Sequence, residues 1–291
     1  MKRAEFIHFD NVSKYFGNNA ALEKVGFKIQ KNSIVGLLGP NGSGKSTLMR
    51  ILSGLIISWD GDIYLEGQSI RKSNTILKRS GFLIEDPSFY EYLTAQQNLI
   101  MFSRLTNTDP MDVNKVLKKV DLFEEKDKKV SDYSYGMKQR LGIAQAILHD
   151  PDILFFDEPN NGLDPLGIST MNKTIDNLNK EGKTIFISTH ILEDVKELCS
   201  HVIVLRDGKL VLDESIEGLI ENEDIYIIKL KNTKIALDKL RSHSDVKVVD
   251  SNDKKITVKS AINIYDLISI IPSESQLNSI SKDPNISRLF R

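Results

Sequence analysis

The segment Gly39-Pro40-Asn41-Gly42-Ser43-Gly44-Lys45-Ser46-Thr47 constrains this chain more than any other. It satisfies the spacing G-x-x-x-x-G-K-[ST], follows an apolar strand-like run at 33–38, and leads into residues 46–55, whose apolar positions recur at helical spacing up to Gly54. A strand that enters a helix through so short a turn needs a tightly curled backbone, and glycine adopts the torsion angles other residues resist. The curl points successive N–H groups inward, and the helix start adds its own unpaired N–H groups and favourable dipole. Such a turn cradles phosphate. Lys45 can then reach β- and γ-phosphates, and the Ser46 hydroxyl can ligate Mg²⁺. The competing explanation is a plain glycine-rich turn. Average residue frequencies produce such a match in roughly one chain of this length per hundred, and the strand–turn–helix setting makes coincidence rarer.

The rest of the chain reads as a sheet built around that turn. Period-two apolar patterns occupy 6–12, 24–30 and 62–66, and a short strand at 81–84 ends at Asp86-Pro87. From about Thr94 to Ala146 helical spacing replaces strand signals; buried-strand runs then return at 153–156, 184–188 and 202–205. Alternating strands and helices imply a largely parallel sheet with a helical insertion. With 291 residues, about two domains are expected. A polar break at 217–224 divides a first domain, 1–220, from a C-terminal α+β domain, 221–291. In the latter, strands are expected at 225–230, 246–249 and 256–258, and helices at 235–241 and 262–271. Lys and Arg total 39 against 40 Asp and Glu, so no basic field points to a nucleic-acid partner. The single cysteine, Cys199, excludes an intramolecular disulfide. No apolar run approaches a membrane span, and the N-terminus does not read as a signal peptide, so any membrane role requires another chain to supply the spans.

A second chemical element is Ile153-Leu154-Phe155-Phe156-Asp157-Glu158-Pro159. A buried strand delivers Asp157 to its C-terminal end, where it can hold Mg²⁺ through water, and Glu158 is placed as general base towards an attacking water. A strand followed by a polar turn explains the same residues less well once the phosphate loop is present. Together with Tyr133-Ser134-Tyr135-Gly136-Met137-Lys138-Gln139-Arg140, these elements resemble the nucleotide-binding subunit of ABC transporters. Asn160-Asn161-Gly162-Leu163-Asp164 is similar to that family's D-loop, and Thr189-His190 to its switch-histidine loop. Five motifs in family order, within about 6–214, make the resemblance specific.

The resemblance implies an α/β P-loop ATPase core with an antiparallel β subdomain and an inserted helical subdomain at about 87–147, plus the C-terminal α+β domain. It implies ATP and Mg²⁺ as ligands, hydrolysis as the reaction, and two facing subunits, a homodimer or a pair of paralogues. In that arrangement Ser134 and Gly136 of one subunit touch the γ-phosphate held by Gly39, Asn41, Gly42, Ser43, Gly44, Lys45, Ser46 and Thr47 of the other, with Asp164 nearby. Tyr135 and Met137 depart from the usual L-S-G-G-Q. His190 would bind the γ-phosphate beside Glu158, and Phe16, or alternatively Tyr15, would stack on adenine. Glu85 occupies the position of a glutamine that contacts Mg²⁺ or the attacking water. The helical insertion is the surface expected to receive a membrane permease, placing the subunit at the cytoplasmic face of the membrane. The single cassette, the acid at 85 and the Gly-Met-Lys-Gln-Arg tail are similar to bacitracin, lantibiotic and phenol-soluble-modulin export ATPases. A soluble non-transport ATPase of the same family, or an exporter of lipid, polysaccharide or ion cargo, are the alternatives.

Overall fold

The computed structural model describes residues 5–72, 75–106, 109, 112–216, 225–260, 262 and 264–282. Two compact units divide the chain, Met1–Asp213 and Glu214–Arg291. The first carries strands β1 (Glu5–Phe16), β2 (Asn19–Gln30), β3 (Ile34–Leu38), β4 (Asp60–Leu65), β5 (Gln68–Ser69), β6 (Ser80–Leu83), β7 (Ile153–Asp157), β8 (Thr184–Thr189), β9 (His201–Arg206) and β10 (Lys209–Ser215). Its helices are α1 (Lys45–Leu52), α2 (Thr75–Lys78), α3 (Ala95–Leu105), α4 (Asp112–Lys119), α5 (Tyr135–Ile147), α6 (Pro165–Lys180) and α7 (Leu192–Leu198).

An antiparallel sheet of order β2-β1-β4-β5 lies in the same unit as a six-stranded sheet of order β10-β9-β3-β8-β7-β6. In the latter, β9, β3, β8, β7 and β6 pair in parallel. Parallel strands covered on both sides read as continuous apolar runs, which is why 34–38, 153–156 and 184–188 were legible as strands. Along β7, side chains alternate between two cores. Ile153 and Phe155 join Val35, Leu37, Leu48 and Met49 in one; Leu154 and Phe156 join Leu99, Leu117, Leu141 and Ile175 in the other.

The first core is stitched by aromatic rings. Phe9 and Phe27 of the antiparallel sheet stack at 4.1 Å between centroids, Phe27 lies 6.0 Å from Phe186, and Phe155 meets Phe186 edge-on at 6.0 Å. The strand before the phosphate loop and the helix after it are therefore both anchored in one rigid layer. The helical insertion, α3 to α5, forms the second core. Thr94 starts α3 with a reciprocal capping box to Gln97, and buried Asn98 closes the preceding loop through bonds to Tyr90 and Thr94.

The second unit runs β11 (Ile225–Leu230), α8 (Thr233–Ser242), β12 (Val246–Asn252), β13 (Lys255–Ser260), α9 (Ile264–Ile270) and β14 (Leu277–Lys282). Its antiparallel sheet has the order β12-β13-β11-β14 and its own core, with Ala236, Leu240 and Leu267 of the helices against Tyr226, Ile228, Ile256 and Val258. Three strands were not anticipated: β10, β14 and the two-residue β5. β14 has the polar sequence Leu-Asn-Ser-Ile-Ser-Lys and exists through its pairing with β11. β10 has half-exposed, strongly charged alternation at a sheet edge. The unit boundary at 213/214 precedes the one expected at 220/221, and the polar run 217–224 lies outside the described residues.

Phe155→Ala is expected to cost about 3–5 kcal/mol of stability, because it empties the centre of the aromatic layer. Urea denaturation followed by the fluorescence of Trp59, the chain's single tryptophan and a member of the first unit, reads the change. A loss below about 1 kcal/mol would show that the layer collapses around the gap.

Candidate nucleotide-binding site

Between β3 and α1 the backbone makes the curl that the sequence requires. Gly44, the residue before α1, sits at φ 106°, and a Cβ there would lie 2.5 Å from the carbonyl oxygen of Ala21. At Gly39 a Cβ would lie 2.4 Å from the carbonyl oxygen of Leu205. Both positions exclude any other residue without backbone movement. No side chain caps α1, so its first N–H groups remain directed at the loop. Ser43 is 2% exposed and its hydroxyl has no partner. A buried hydroxyl without a partner in the loop itself leaves a donor available for an oxygen acceptor.

Lys45 is 5% exposed, and a buried ammonium demands partners. Its Nζ donates to the carbonyls of Gly39 at 2.8 Å and Pro40 at 3.3 Å, and lies 3.5 Å from Glu158 Oε1. Glu158 follows β7 at φ 50°, and its N–H donates to the Ser188 carbonyl at 3.0 Å. That bond turns the carboxylate away from the strand axis and towards the loop. Asp157, opposite Ser188 in the β7–β8 register, accepts a hydrogen bond from the Ser188 hydroxyl.

His190, directly after β8, places Nδ1 at 2.8 Å from Glu158 Oε2. An ionised carboxylate only accepts, so Nδ1 carries the proton of that bond. The turn holding His190 is closed by Thr189, which donates to Asp194 at 3.2 Å and accepts from the Ile191 N–H at 3.0 Å. Burial holds the Asp194 carboxyl above the usual carboxylate range, partly offset by hydrogen bonds from Asn160 and Thr189.

Lys45, Glu158 and His190 share one open cavity of about 480 Å³, lined also by Asn41, Gly42, Gly44, Ser46 and Thr47, with Ala21 and Asn161; Gly39, Ser43 and Asp157 do not line it. Ala21 and Asn161 were not anticipated. Ala21 lies within an ordinary strand alternation and carries no chemical signal, whereas Asn161 adjoins the acidic pair at the end of β7. Ser188 was also missed, although it stands two residues before His190. Other expected site residues do not line this cavity. Ser134 caps α5, its hydroxyl accepting from the Met137 N–H at 3.3 Å, and Gly136 lies in the same first turn. Asp164 caps α6, accepting from the Gly167 N–H at 2.9 Å. Phe16 is exposed at the end of β1 with the Lys14 ammonium 4.9 Å from its ring centre, and Tyr15 is exposed beside it. Glu85, expected near Mg²⁺, is exposed, and its carboxylate accepts from Arg50 Nε of α1 at 3.1 Å.

A phosphate loop after β3 and an acidic end of β7, two strands apart across β8 in one parallel sheet, with a helical insertion between them in the sequence, define a P-loop ATPase of the cassette type. The pattern of the ABC transporter family matches residues 22–161. The bacitracin transport ATP-binding protein BcrA of Bacillus licheniformis is 35% identical over 96% of this chain and 90% of its own length. BcrA of Enterococcus faecalis is 39% identical over 81% of this chain and 78% of its own. The lantibiotic transport ATP-binding protein SrtF of Streptococcus pyogenes is 35% identical over 81% of this chain and 100% of its own. Among solved structures, an ATP-binding subunit of an ABC transporter superposes with TM-score 0.66 at 26% identity, covering 75% of this chain and 92% of that one. The chain belongs to the ABC transporter ATP-binding family, whose members hydrolyse ATP.

Lys45→Ala removes the one ammonium in the cavity lining. It is expected to weaken ATP binding about 10–100-fold, the worth of one or two hydrogen bonds to a charged group. Titration with a fluorescent ATP analogue reads the change; an unaltered affinity would place the phosphates elsewhere.

Proposed function

We propose that the chain is the ATP-hydrolysing subunit of an exporter, docked at the cytoplasmic face of the membrane on a separate permease and paired with a second nucleotide-binding subunit, for which another copy of this chain suffices. The observation that carries the pairing is the division of the site. The loop, Glu158 and His190 share a cavity that Ser134 and Gly136 of the same chain do not line. A signature at a helix N-terminus is an anion-binding group in search of a phosphate, and a facing subunit supplies one. Among the described residues no helix is long and apolar enough to cross a membrane, so the spans belong to the permease in this reading.

In the reaction, the loop N–H groups and Lys45 bind the phosphates, and Lys45 can redirect its donors from the Gly39 and Pro40 carbonyls to phosphate oxygens. Ser46 and Asp157 fit the usual ligand set for Mg²⁺, which when bound offsets phosphate charge. Among the described residues no group of three or more His, Cys, Asp or Glu could hold a metal alone, which suits an ion shared with the nucleotide. Glu85, whose exposed carboxylate pairs with Arg50, is the further carboxylate that the resemblance puts near that ion. Glu158 takes a proton from the attacking water as that oxygen bonds to the γ-phosphorus and the bond to ADP breaks. His190 orients the Glu158 carboxylate through Nδ1. Phe16 offers an exposed ring for adenine.

For the cargo, amphipathic antimicrobial peptide is supported by the similarity to BcrA and SrtF, whose names record bacitracin and lantibiotic transport. The similarity to BcrA of Bacillus licheniformis spans 96% of this chain and therefore extends into the second unit.

Glu158→Gln is expected to lower kcat about 10²–10⁴-fold, the usual contribution of a general base, while leaving ATP affinity within about twofold. Steady-state phosphate release and nucleotide titration on the same preparation separate the two. Retained turnover would remove Glu158 from the base position.

A further inference from the structure

Tyr135 is the residue that departs most from the usual signature, and its contacts reach three separate segments. Its hydroxyl donates to Asp86 Oδ1 at 2.8 Å and accepts from Gln139 Nε2 at 2.8 Å. Its ring lies against Gly162, where a Cβ would stand 3.2 Å from Tyr135 Cε1. Gly162 belongs to the turn that starts at Glu158, and Asp86 adjoins Glu85, whose carboxylate is bound to Arg50 of α1. One side chain thus ties the start of α5 to the turn after β6 and to the turn after β7. Through Arg50 and Glu85, the turn after β6 is tied in turn to the helix that carries Lys45.

We propose that Tyr135 is a positioning residue for ATP hydrolysis, fixing the N-terminus of α5, with Ser134 and Gly136, against the turns at 85–86 and 158–163. The proposal rests on the reading that Ser134 and Gly136 meet the ATP of a facing subunit. Transition-state contacts fail when misplaced by about 1 Å, so the direction of this helix start governs turnover more than it governs stability. Tyr135 remains 42% exposed, and an exposed hydrogen bond contributes little to folding, which is consistent with a positioning task. Burial and the bond to Asp86 raise the Tyr135 phenol above its ordinary range, so it stays a proton donor.

The test compares Tyr135→Phe, Asp86→Ala, Asp86→Asn and the double variant Tyr135→Phe/Asp86→Ala in the full-length protein. Tyr135→Phe keeps the ring against Gly162 and loses only the hydroxyl. It is expected to lower kcat roughly fivefold with ATP affinity within about twofold. Asp86→Ala should match it, Asp86→Asn should keep near-normal turnover because an acceptor oxygen remains, and the double variant should fall no further than either single one. Unchanged kcat in Tyr135→Phe, multiplied losses in the double variant, or a loss in affinity in place of turnover would each overturn the proposal. Ser134→Ala, measured alongside, tests the underlying reading separately. If it lowers turnover while Tyr135→Phe does not, only the proposal fails; if it leaves turnover intact, the signature reading fails.

Discussion

Parallel pairing of β3 with β8 and of β8 with β7 sets the site. In that register Leu38 stands beside Thr189, and Ser188 beside Asp157, so the three strand ends release the phosphate loop, His190 and Glu158 at one edge of the sheet. Ligands of open parallel sheets gather at the carboxyl ends of strands because there the loops diverge and the helix N-termini converge. The aromatic layer of Phe9, Phe27, Phe155 and Phe186 holds that register from beneath. Without it, a loop whose lysine must stay buried would have no fixed partner.

Charge balance follows from the same register. Lys45 is buried against two carbonyls and Glu158, while Glu158 is shared with His190. The left-handed backbone at Glu158 is tolerated because Ser188 holds its N–H through both carbonyl and hydroxyl. Glu158 is thus fixed through Ser188 and His190 of the adjoining β8, and Lys45 through its own loop and Glu158, which is the preorganisation that phosphoryl transfer depends on.

What was legible in the sequence is what local physics decides. The phosphate loop and the buried strands depend on residues within a few positions of one another. What was not legible depends on distant partners. The pairing of Glu85 with Arg50, from another element, has no local signal. Tyr135 reads as a flaw in a signature until Asp86 and Gly162 are seen against it. β14 lacks strand propensity and forms because β11 offers an edge. Pairing, not propensity, decided these.

The central claim is that each ATP site is completed by the signature of a second copy. The direct measurement mixes Lys45→Ala chains with Ser134→Arg chains, each inactive alone, and follows phosphate release. In a mixed pair, one composite site combines both defects and the other is intact. Random pairing at equal amounts should therefore restore about a quarter of the wild-type rate. A mixture as inactive as either variant by itself would mean that loop and signature act within one chain, contradicting the account.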